Sequence, residues 1–259
     1  MRFLFQPAEF GAGAQAMIED GALEAVDEAL GAHVFTPLPF GVAATREGEL
    51  LVGAELFELV VSGGGGHSGL SHDARDAVFA AAQLVGALQS IVARETSPTE
   101  LLSLAIASVE GGSAANVVAS EVTLRGTLRW LKRSEREHAL GRVEQIAAGV
   151  CGALRVAHEL RITAPLPVMH GAPEPTALLA DAARAAGATV VDPGILPASD
   201  DCAYIAERVP SAFIAIGAGG EGCGAHHAPD FDIDERSIGL NAEILARATL
   251  ARLGQDGAT

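Results

Sequence analysis

Glutamate and histidine residues at three places in this chain could carry acid–base or metal chemistry. Glu9 follows a short apolar run and a proline in FQPAE, and His33 lies in the apolar stretch LGAHVF. His226 and His227 follow a glycine-rich loop and precede an acid-capped helix that starts near Asp234. Alone, a glutamate at a strand end is usually solvated or caps a helix, and a histidine in a strand is usually a hydrogen-bonded core residue. Together, side chains of these types on separate loops indicate a metal site, because zinc commonly takes such a ligand set.

The stretch SGGGGHSG (62–69) is a second candidate. Glycine-rich loops can bind phosphate through backbone N–H groups. Here no Lys-Ser/Thr pair follows the glycines, and their spacing is not that of a dinucleotide fingerprint. We therefore expect the glycines to form a sharp turn that exposes His67 at a loop tip. A solvated loop histidine without a function is the alternative.

Composition limits the class of protein. The chain has 259 residues, of which 49% are hydrophobic and 19% charged, as expected for a folded globular protein of one or two domains. A net charge of −16 argues against nucleic acid as a partner. No apolar run approaches the length of a membrane span, and no signal-type segment is recognisable, so we expect no membrane association. Three widely spaced cysteines predict free thiols and a cytoplasmic protein.

The elements that must position these residues fall into two groups. Strand 2–6, helix 13–21 and strand 30–35 come first, and the segment 166–259 returns to alternating helices and strands, which predicts an α/β layer. Between them, GAELFELVVSG begins a strand–helix–strand–strand–helix–strand order typical of an α+β, ferredoxin-like arrangement. We predict an α/β domain made of 1–49 and 166–259, into which an α+β domain of 50–165 is inserted.

The order and spacing of several motifs resemble one family. The segments FQPAE, MIEDG, GAHV, GGGGHS, LQSIVARE, ANVV, GTLR and HHAPDFDIDE are similar to those of the M20 metallopeptidases. The resemblance is strongest to the M20D amidohydrolases of the aminoacylase, hippurate-hydrolase and auxin-conjugate-hydrolase types, and it covers essentially the whole chain. It implies a cytoplasmic homodimer formed by the inserted domain. It also implies a two-metal site of zinc or manganese that hydrolyses the amide of N-acyl amino acids or small peptides.

The resemblance also implies residue roles. His33 and His227 correspond to metal ligands, whereas His226 occupies a position that does not bind metal. His67 corresponds to the histidine that reaches the partner subunit's active site and polarises the substrate carbonyl. Asn116 and Arg129 correspond to residues that hold the substrate carboxylate, a role that suits the planar guanidinium of arginine. A structural salt bridge is the alternative for Arg129.

Two departures from the family pattern bear on activity. The family has FQPAEE, in which one glutamate is the general base and the next a metal ligand. Here Glu9 is followed by Phe10 and stands for one of the two. The upstream His-x-Cys-Gly-His-Asp segment of the family is also absent, so we expect an incomplete catalytic domain and at most one weakly held metal. Two functions therefore remain open: a metal-dependent amidohydrolase, and a truncated non-catalytic remnant that dimerises and binds acyl amino acids.

Overall fold

The computed structural model describes residues 1–9, 13–224, 226 and 228–256. The chain divides into two compact units. Unit 1 consists of Met1–Val52 and Pro167–Thr259, and unit 2 of Gly53–Leu166. The boundaries expected from the sequence lie within a few residues of these divisions.

The described residues form twelve strands and six α-helices. In chain order they are α1 (Gly13–Glu19), β1 (Ala29–Pro39), β2 (Val42–Ala44), β3 (Gly48–Leu51), β4 (Gly53–Ser62), β5 (Gly66–His67), α2 (Ala77–Ser90), β6 (Leu102–Gly111), β7 (Val117–Val118), β8 (Glu121–Trp130), α3 (Arg133–Leu154), β9 (Ala157–Leu166), β10 (Met169–Gly171), α4 (Pro173–Ala185), β11 (Thr189–Val191), α5 (Cys202–Ala206), β12 (Ser211–Gly219) and α6 (Arg236–Asp256).

Unit 1 is an α/β layer. Its main sheet has the order β1-β12-β2-β11, in which β1 runs parallel to β12, and β3 and β10 form a separate two-stranded ribbon. All nine residues of β12 are buried, as expected for a strand covered on both faces. Helices α4 and α6 pack on β12 and on each other around a core that includes Leu179, Ile214 and Ile244. This sheet places the end of β1, at Pro39, beside the loop that follows β12, whereas His33 lies in the middle of the strand and not at its end as expected.

Unit 2 has the predicted order of elements. Its antiparallel sheet is β6-β8-β4-β9, and α2 and α3 pack on the sheet and on each other. Alternate residues of β8, from Val122 to Trp130, are buried, and the residues between them are half-buried. The half-buried face carries Arg125, which forms ion pairs with Glu58 at 2.6 Å and with Glu110 at 2.7 Å. One face of the sheet therefore forms the core with the helices, and the other is polar.

Helix α2 corrects one expectation from the sequence. Together with the π-turn Ile91–Glu95 it makes a helical segment, Ala77–Glu95, that is long and apolar enough to cross a membrane by length and composition. A third of its apolar window is buried, and it packs against the sheet of unit 2, as core helices of globular proteins also do. Its length and composition are therefore weak evidence for a membrane span.

Two further predictions bear on the fold. The strand predicted for residues 2–6 is wrong, because Met1–Gln6 have no regular secondary structure. Phe3 and Phe5 are 71% and 86% exposed, so this apolar run is not buried on a sheet. The prediction of free thiols is confirmed for Cys151, Cys202 and Cys223.

Candidate functional site

The glycine-rich loop of unit 2 presents His67 at the surface. Gly64 and Gly65 have φ values of +100° and +67°, which side-chain-bearing residues rarely adopt, so the turn requires glycine. The loop is fixed at its start by the Gly63 N–H, which donates to the Ser120 carbonyl at 2.7 Å. His67 follows in the short strand β5 with an exposed side chain. The predicted turn is therefore present.

The backbone determines which ring nitrogen of His67 carries the proton. The Gly69 N–H donates to the Nδ1 atom of His67 at 3.0 Å. An Nδ1 atom that accepts a hydrogen bond in a neutral imidazole leaves the proton on Nε2. His67 thus offers an N–H donor that could polarise a carbonyl oxygen.

Asn116 lies next to His67. Strand β5 pairs with β7 in the register His67 to Val117, and the Ser68 N–H donates to the Asn116 carbonyl at 3.2 Å. The side chain of Asn116 is exposed. Two of the residues singled out from the sequence are thus adjacent in unit 2, both beyond the Ser62 end of β4.

Arg129 lies at the other end of the same sheet. It pairs with Ala54 and Ser103, whereas Glu121, at the opposite end of β8, pairs with Ser62. Eight residues of extended strand separate Glu121 from Arg129, roughly 26 Å at the usual rise of a strand. Within one chain, Arg129 and the His67–Asn116 pair are therefore too far apart to hold one small carboxylate together.

His33 lies exposed on β1 of unit 1, where it pairs in register with Ala215. Its Nδ1 atom is 2.6 Å from the Val34 carbonyl oxygen. A carbonyl can only accept, so Nδ1 carries the proton and Nε2 presents a lone pair. Metal-binding histidines commonly have this arrangement, in which the other ring nitrogen donates to a carbonyl.

His226 is held by an aromatic cluster. Its ring centroid lies 5.5 Å from that of Phe35, 5.4 Å from that of Phe231 and 6.0 Å from that of His33. Its Nε2 atom accepts from the Thr36 N–H at 3.1 Å. The ring is thus used for packing and for a backbone hydrogen bond. His227, the predicted ligand beside it, lies outside the described residues, as does Phe10.

The described residues do not by themselves form a metal site. Glu9 is exposed in the loop before α1, and among the residues that the structure describes no group of three or more His, Cys, Asp or Glu side chains is placed to hold a metal ion. Zinc requires four ligands, or three with a water molecule. Together with the other described residues, His33 and Glu9 do not provide three ligands to one ion. The described donor set therefore does not fit a two-metal centre.

A cleft of about 550 Å³ lies in unit 1 between the end of β1 and the loop after β12. Its walls include Phe40, Gly219 to Cys223, Asp232 to Asp234, and Arg236. The Arg236 guanidinium lies 4.2 Å from the Phe40 ring centroid and donates to the Asp234 carboxylate at 2.9 Å, which lowers the pKa of that carboxyl group. The volume is in the range of small-molecule sites.

Asp201 is a buried acid that the sequence analysis did not single out. Its side chain accepts from the Gln6 Nε2 atom at 2.5 Å and from the Ala14 N–H at 2.6 Å. Burial raises the pKa of the Asp201 carboxyl, and the two hydrogen bonds oppose that rise. Asp201 stands at the N-cap position of α5, but its side chain makes no capping hydrogen bond; the Cys202 N–H donates to Asp200 instead, at 2.8 Å.

Comparison with known proteins gives one consistent result. Residues 1–251 match the profile of Peptidase family M20/M25/M40. The chain is 33% identical over 241 residues to an N-acetyl-L-cysteine deacetylase of Bacillus subtilis, an alignment that covers 92% of this chain and 57% of the relative. The chain spans about three-fifths of the length of the curated relatives it matches.

Two solved structures have the same fold. A putative aminohydrolase from methicillin-resistant Staphylococcus aureus superposes with a TM-score of 0.81 at 34% identity, covering 95% of this chain and 65% of the other. A dinuclear metal-binding peptidase of the M20 family from Bacillus subtilis superposes with a TM-score of 0.76 at 25% identity, covering 96% and 64%. The mixed α/β fold of this chain is thus that of solved amidohydrolases and peptidases.

Proposed function

This chain belongs to peptidase family M20/M25/M40, and from that premise we propose that it acts as a metal-dependent amidohydrolase of N-acyl amino acids or small peptides. The observation that carries the proposal is the family match along residues 1–251. The amidohydrolase branch is supported by the similarity to a deacetylase of an N-acyl amino acid. The preferred metal is zinc or manganese, at most one ion per chain, with His33 and His227 as its ligands.

The residues of unit 2 supply substrate contacts in this proposal. The Nε2–H of His67 donates to the carbonyl oxygen of the scissile amide, and the side-chain amide of Asn116 lies beside it to orient the same substrate. The Arg129 guanidinium binds the substrate carboxylate through two hydrogen bonds. In unit 1, Glu9 accepts a proton from the attacking water as general base.

We further propose that the chain forms a homodimer through unit 2. Strand β6 is an edge of its sheet in the described part of the chain, and an unpaired edge is a surface for strand addition. The outer side of α2 exposes Val78 and Phe79, which are 48% and 52% accessible, and β6 exposes Val109 at 57%. Apolar side chains of this kind are typical of the core of an interface.

Sedimentation tests the dimer. The unmodified chain should sediment as a dimer at micromolar concentration, and Phe79→Glu should shift it towards the monomer because a charge is then buried in an apolar contact. Leu250→Glu, at a 70% exposed residue in unit 1, is the matched control and should leave the dimer intact. A wild-type monomer at these concentrations would contradict the proposal.

A non-catalytic acyl amino acid-binding protein is the second candidate. It is favoured by one observation, that the described residues supply no group of three metal-binding side chains. In this case, His67, Asn116 and Arg129 still bind the ligand, but no hydrolysis follows, because orienting an amide does not generate a nucleophile.

Hydrolysis of hippurate and of N-acetyl amino acids, measured with added zinc, manganese or cobalt, separates the two candidates. If the chain turns over these substrates, and Glu9→Gln abolishes the turnover whereas Glu24→Gln leaves it unchanged, the result supports the amidohydrolase. Glu24 is the control because it is an exposed glutamate of the same unit. Binding of N-acetyl amino acids in calorimetry without turnover under any metal condition supports the binding protein.

A further inference from the structure

Asp201 connects both sides of the loop that carries Glu9. Gln6 lies three residues before Glu9 and Ala14 five residues after it, and both donate to the same buried carboxylate. Asp201 is 0% exposed, so neither hydrogen bond is exchanged freely for one to water. These two hydrogen bonds to a buried carboxylate fix the positions of Gln6 and Ala14 relative to α5.

Two described residues between Gln6 and Ala14 have a constrained backbone. A Cβ atom at Gly13 would lie 1.5 Å from the Pro7 carbonyl oxygen, so the chain returns to within contact of its starting point and only glycine fits there. Ala8, next to Glu9, has a φ of +48°, in the left-handed region that residues other than glycine rarely adopt. Strained backbone of this kind persists only where surrounding contacts hold it, and the contacts of Asp201 are of that type.

We propose that Asp201 is a positioning residue for Glu9, because it fixes Gln6 and Ala14, on either side of Glu9 in the chain, relative to α5. The role of Glu9 as general base in this inference rests on the proposed function, whereas the hydrogen bonds of Asp201 do not depend on it. A general base must lie within hydrogen-bond reach of the proton it accepts, and a displacement of about 1 Å is costly for catalysis. Asp201 touches neither substrate nor metal in this scheme.

Hydrogen exchange of the full-length protein, followed by mass spectrometry, tests the loop directly and needs no turnover. Asp201→Ala should raise exchange in the segment 5–17 by about ten-fold or more, the factor expected when two buried hydrogen bonds are lost together. Gln6→Ala removes one of the two bonds at a residue that is not fully buried, and should give a smaller increase in the same segment. Asp201→Asn should recover most of the protection, because the Gln6 amide can rotate and accept from the new amide.

Asp200→Ala is the matched control. Asp200 is 8% exposed and adjacent to Asp201, but its carboxylate accepts from the Cys202 N–H at the start of α5. Loss of this carboxylate should therefore raise exchange in 202–206 and leave 5–17 unchanged. Unchanged exchange of 5–17 in Asp201→Ala, or the same pattern in both alanine variants, would overturn the inference. If Asp201→Ala does not fold, the Gln6→Ala variant decides: unchanged exchange of 5–17 in that variant would also overturn the inference.

The catalytic side of the inference has its own readout. Asp201→Ala and Gln6→Ala should lower kcat with KM unchanged, and Asp201→Asn should lie closer to the wild type, because the substrate contacts are in unit 2. A loosened loop with unchanged kcat would refute the role in positioning Glu9. Absence of turnover in the unmodified chain refutes the proposed function alone, since the exchange data still decide whether Asp201 holds the loop.

Discussion

Two exposed histidines of this chain have opposite tautomers, and a backbone group selects each of them. In His67 the Gly69 N–H occupies Nδ1, which leaves an Nε2–H donor. In His33 the Val34 carbonyl lies against Nδ1, which leaves an Nε2 lone pair. A donor suits a carbonyl oxygen and a lone pair suits a metal ion, so residues of one type are prepared for different chemistry by the groups next to them.

The donor role of His67 predicts the effect of substituting it. His67→Ala should lower kcat for amide hydrolysis by about 10²–10³, the usual cost of losing one hydrogen-bond donor to a developing oxyanion. His67→Gln should retain part of the activity because its amide places an N–H near the position of Nε2. His72→Ala, at an exposed histidine five residues further on, should behave as the wild type in the same assay. Equal rates for His67→Ala and His72→Ala would exclude the donor role.

At the scale of elements, close packing of strands explains one motif better than chemistry does. Gly126, the glycine of GTLR, lies in β8 beneath the Phe57 ring, and a Cβ atom there would be 2.3 Å from the Ala105 carbonyl oxygen and 2.5 Å from the ring. The adjacent strands β4 and β6 thus leave no room for a side chain. The glycine is needed to form the sheet that carries Arg129.

Gly126→Ala should therefore lower the free energy of unfolding of unit 2 by about 1–3 kcal/mol, since overpacking of a tight site costs that much. Gly141→Ala in α3 is the matched control, because nothing lies within 4 Å of a Cβ atom there. It should raise stability by up to about 1 kcal/mol, the helix preference of alanine over glycine. Urea unfolding of both variants measures the difference, and equal midpoints would contradict the packing argument.

A second prediction at this scale concerns the contact between α3 and the π-turn after α2. The hydrogen bond from Arg142 lowers the pKa of the Glu95 carboxyl below its ordinary value of 4.5, with a smaller contribution from His138. A carboxyl group with a lowered pKa in the folded state stabilises above the unfolded pKa, and this contribution is lost as the pH falls through the folded pKa. Glu95→Gln should thus be less stable than the wild type at pH 7.

The stability difference between Glu95→Gln and the wild type should narrow as the pH falls below 4.5. Thermal unfolding across pH 3 to 7 would show this convergence. Glu137→Gln, at an exposed glutamate of α3, provides the control for loss of one negative charge. A difference that is constant over the whole range would mean that the contact stabilises by packing and not by charge.

At the scale of the whole molecule, the separation of the substrate-binding residues matters most. His67 and Asn116 lie beyond one end of the sheet of unit 2, and Arg129 lies near the other, roughly 26 Å away along β8. An N-acyl amino acid is much shorter than that distance. In the proposed dimer, we infer that each substrate site takes His67 and Asn116 from one subunit and Arg129 from the other.

Mixing two inactive variants tests this arrangement. His67→Ala and Arg129→Met should each have little activity alone, but a mixed dimer contains one site in which both residues are intact. Random exchange of subunits should restore about a quarter of the wild-type activity, because half of the dimers are mixed and each has one of two sites. No recovery after verified subunit exchange would mean that each site takes all three residues from one subunit, which would contradict this arrangement.

The sequence by itself determined the features that depend on neighbours along the chain. The periodicity of 134–153 indicated α3, and the alternation in GAELFELVVSG indicated β4, because a helix bonds to itself and a strand shows its buried face in every second residue. The strand predicted for the apolar run 2–6 did not form, since a strand also needs a partner strand and the described residues give Met1–Gln6 none.

Only the tertiary structure decided which distant residues meet. Asn116 and Arg129 are close in sequence, yet an extended β8 carries them to opposite ends of a sheet. Asp201 and Ala14 are 187 residues apart, yet they form a buried hydrogen bond beside the loop of Glu9. Residue types and local spacing indicate which side chains are chemically able to take part in a site. Which of them lie close together depends on contacts between segments far apart in the chain. Here those contacts are the packing of α5 against α1 and the register of β4 and β8.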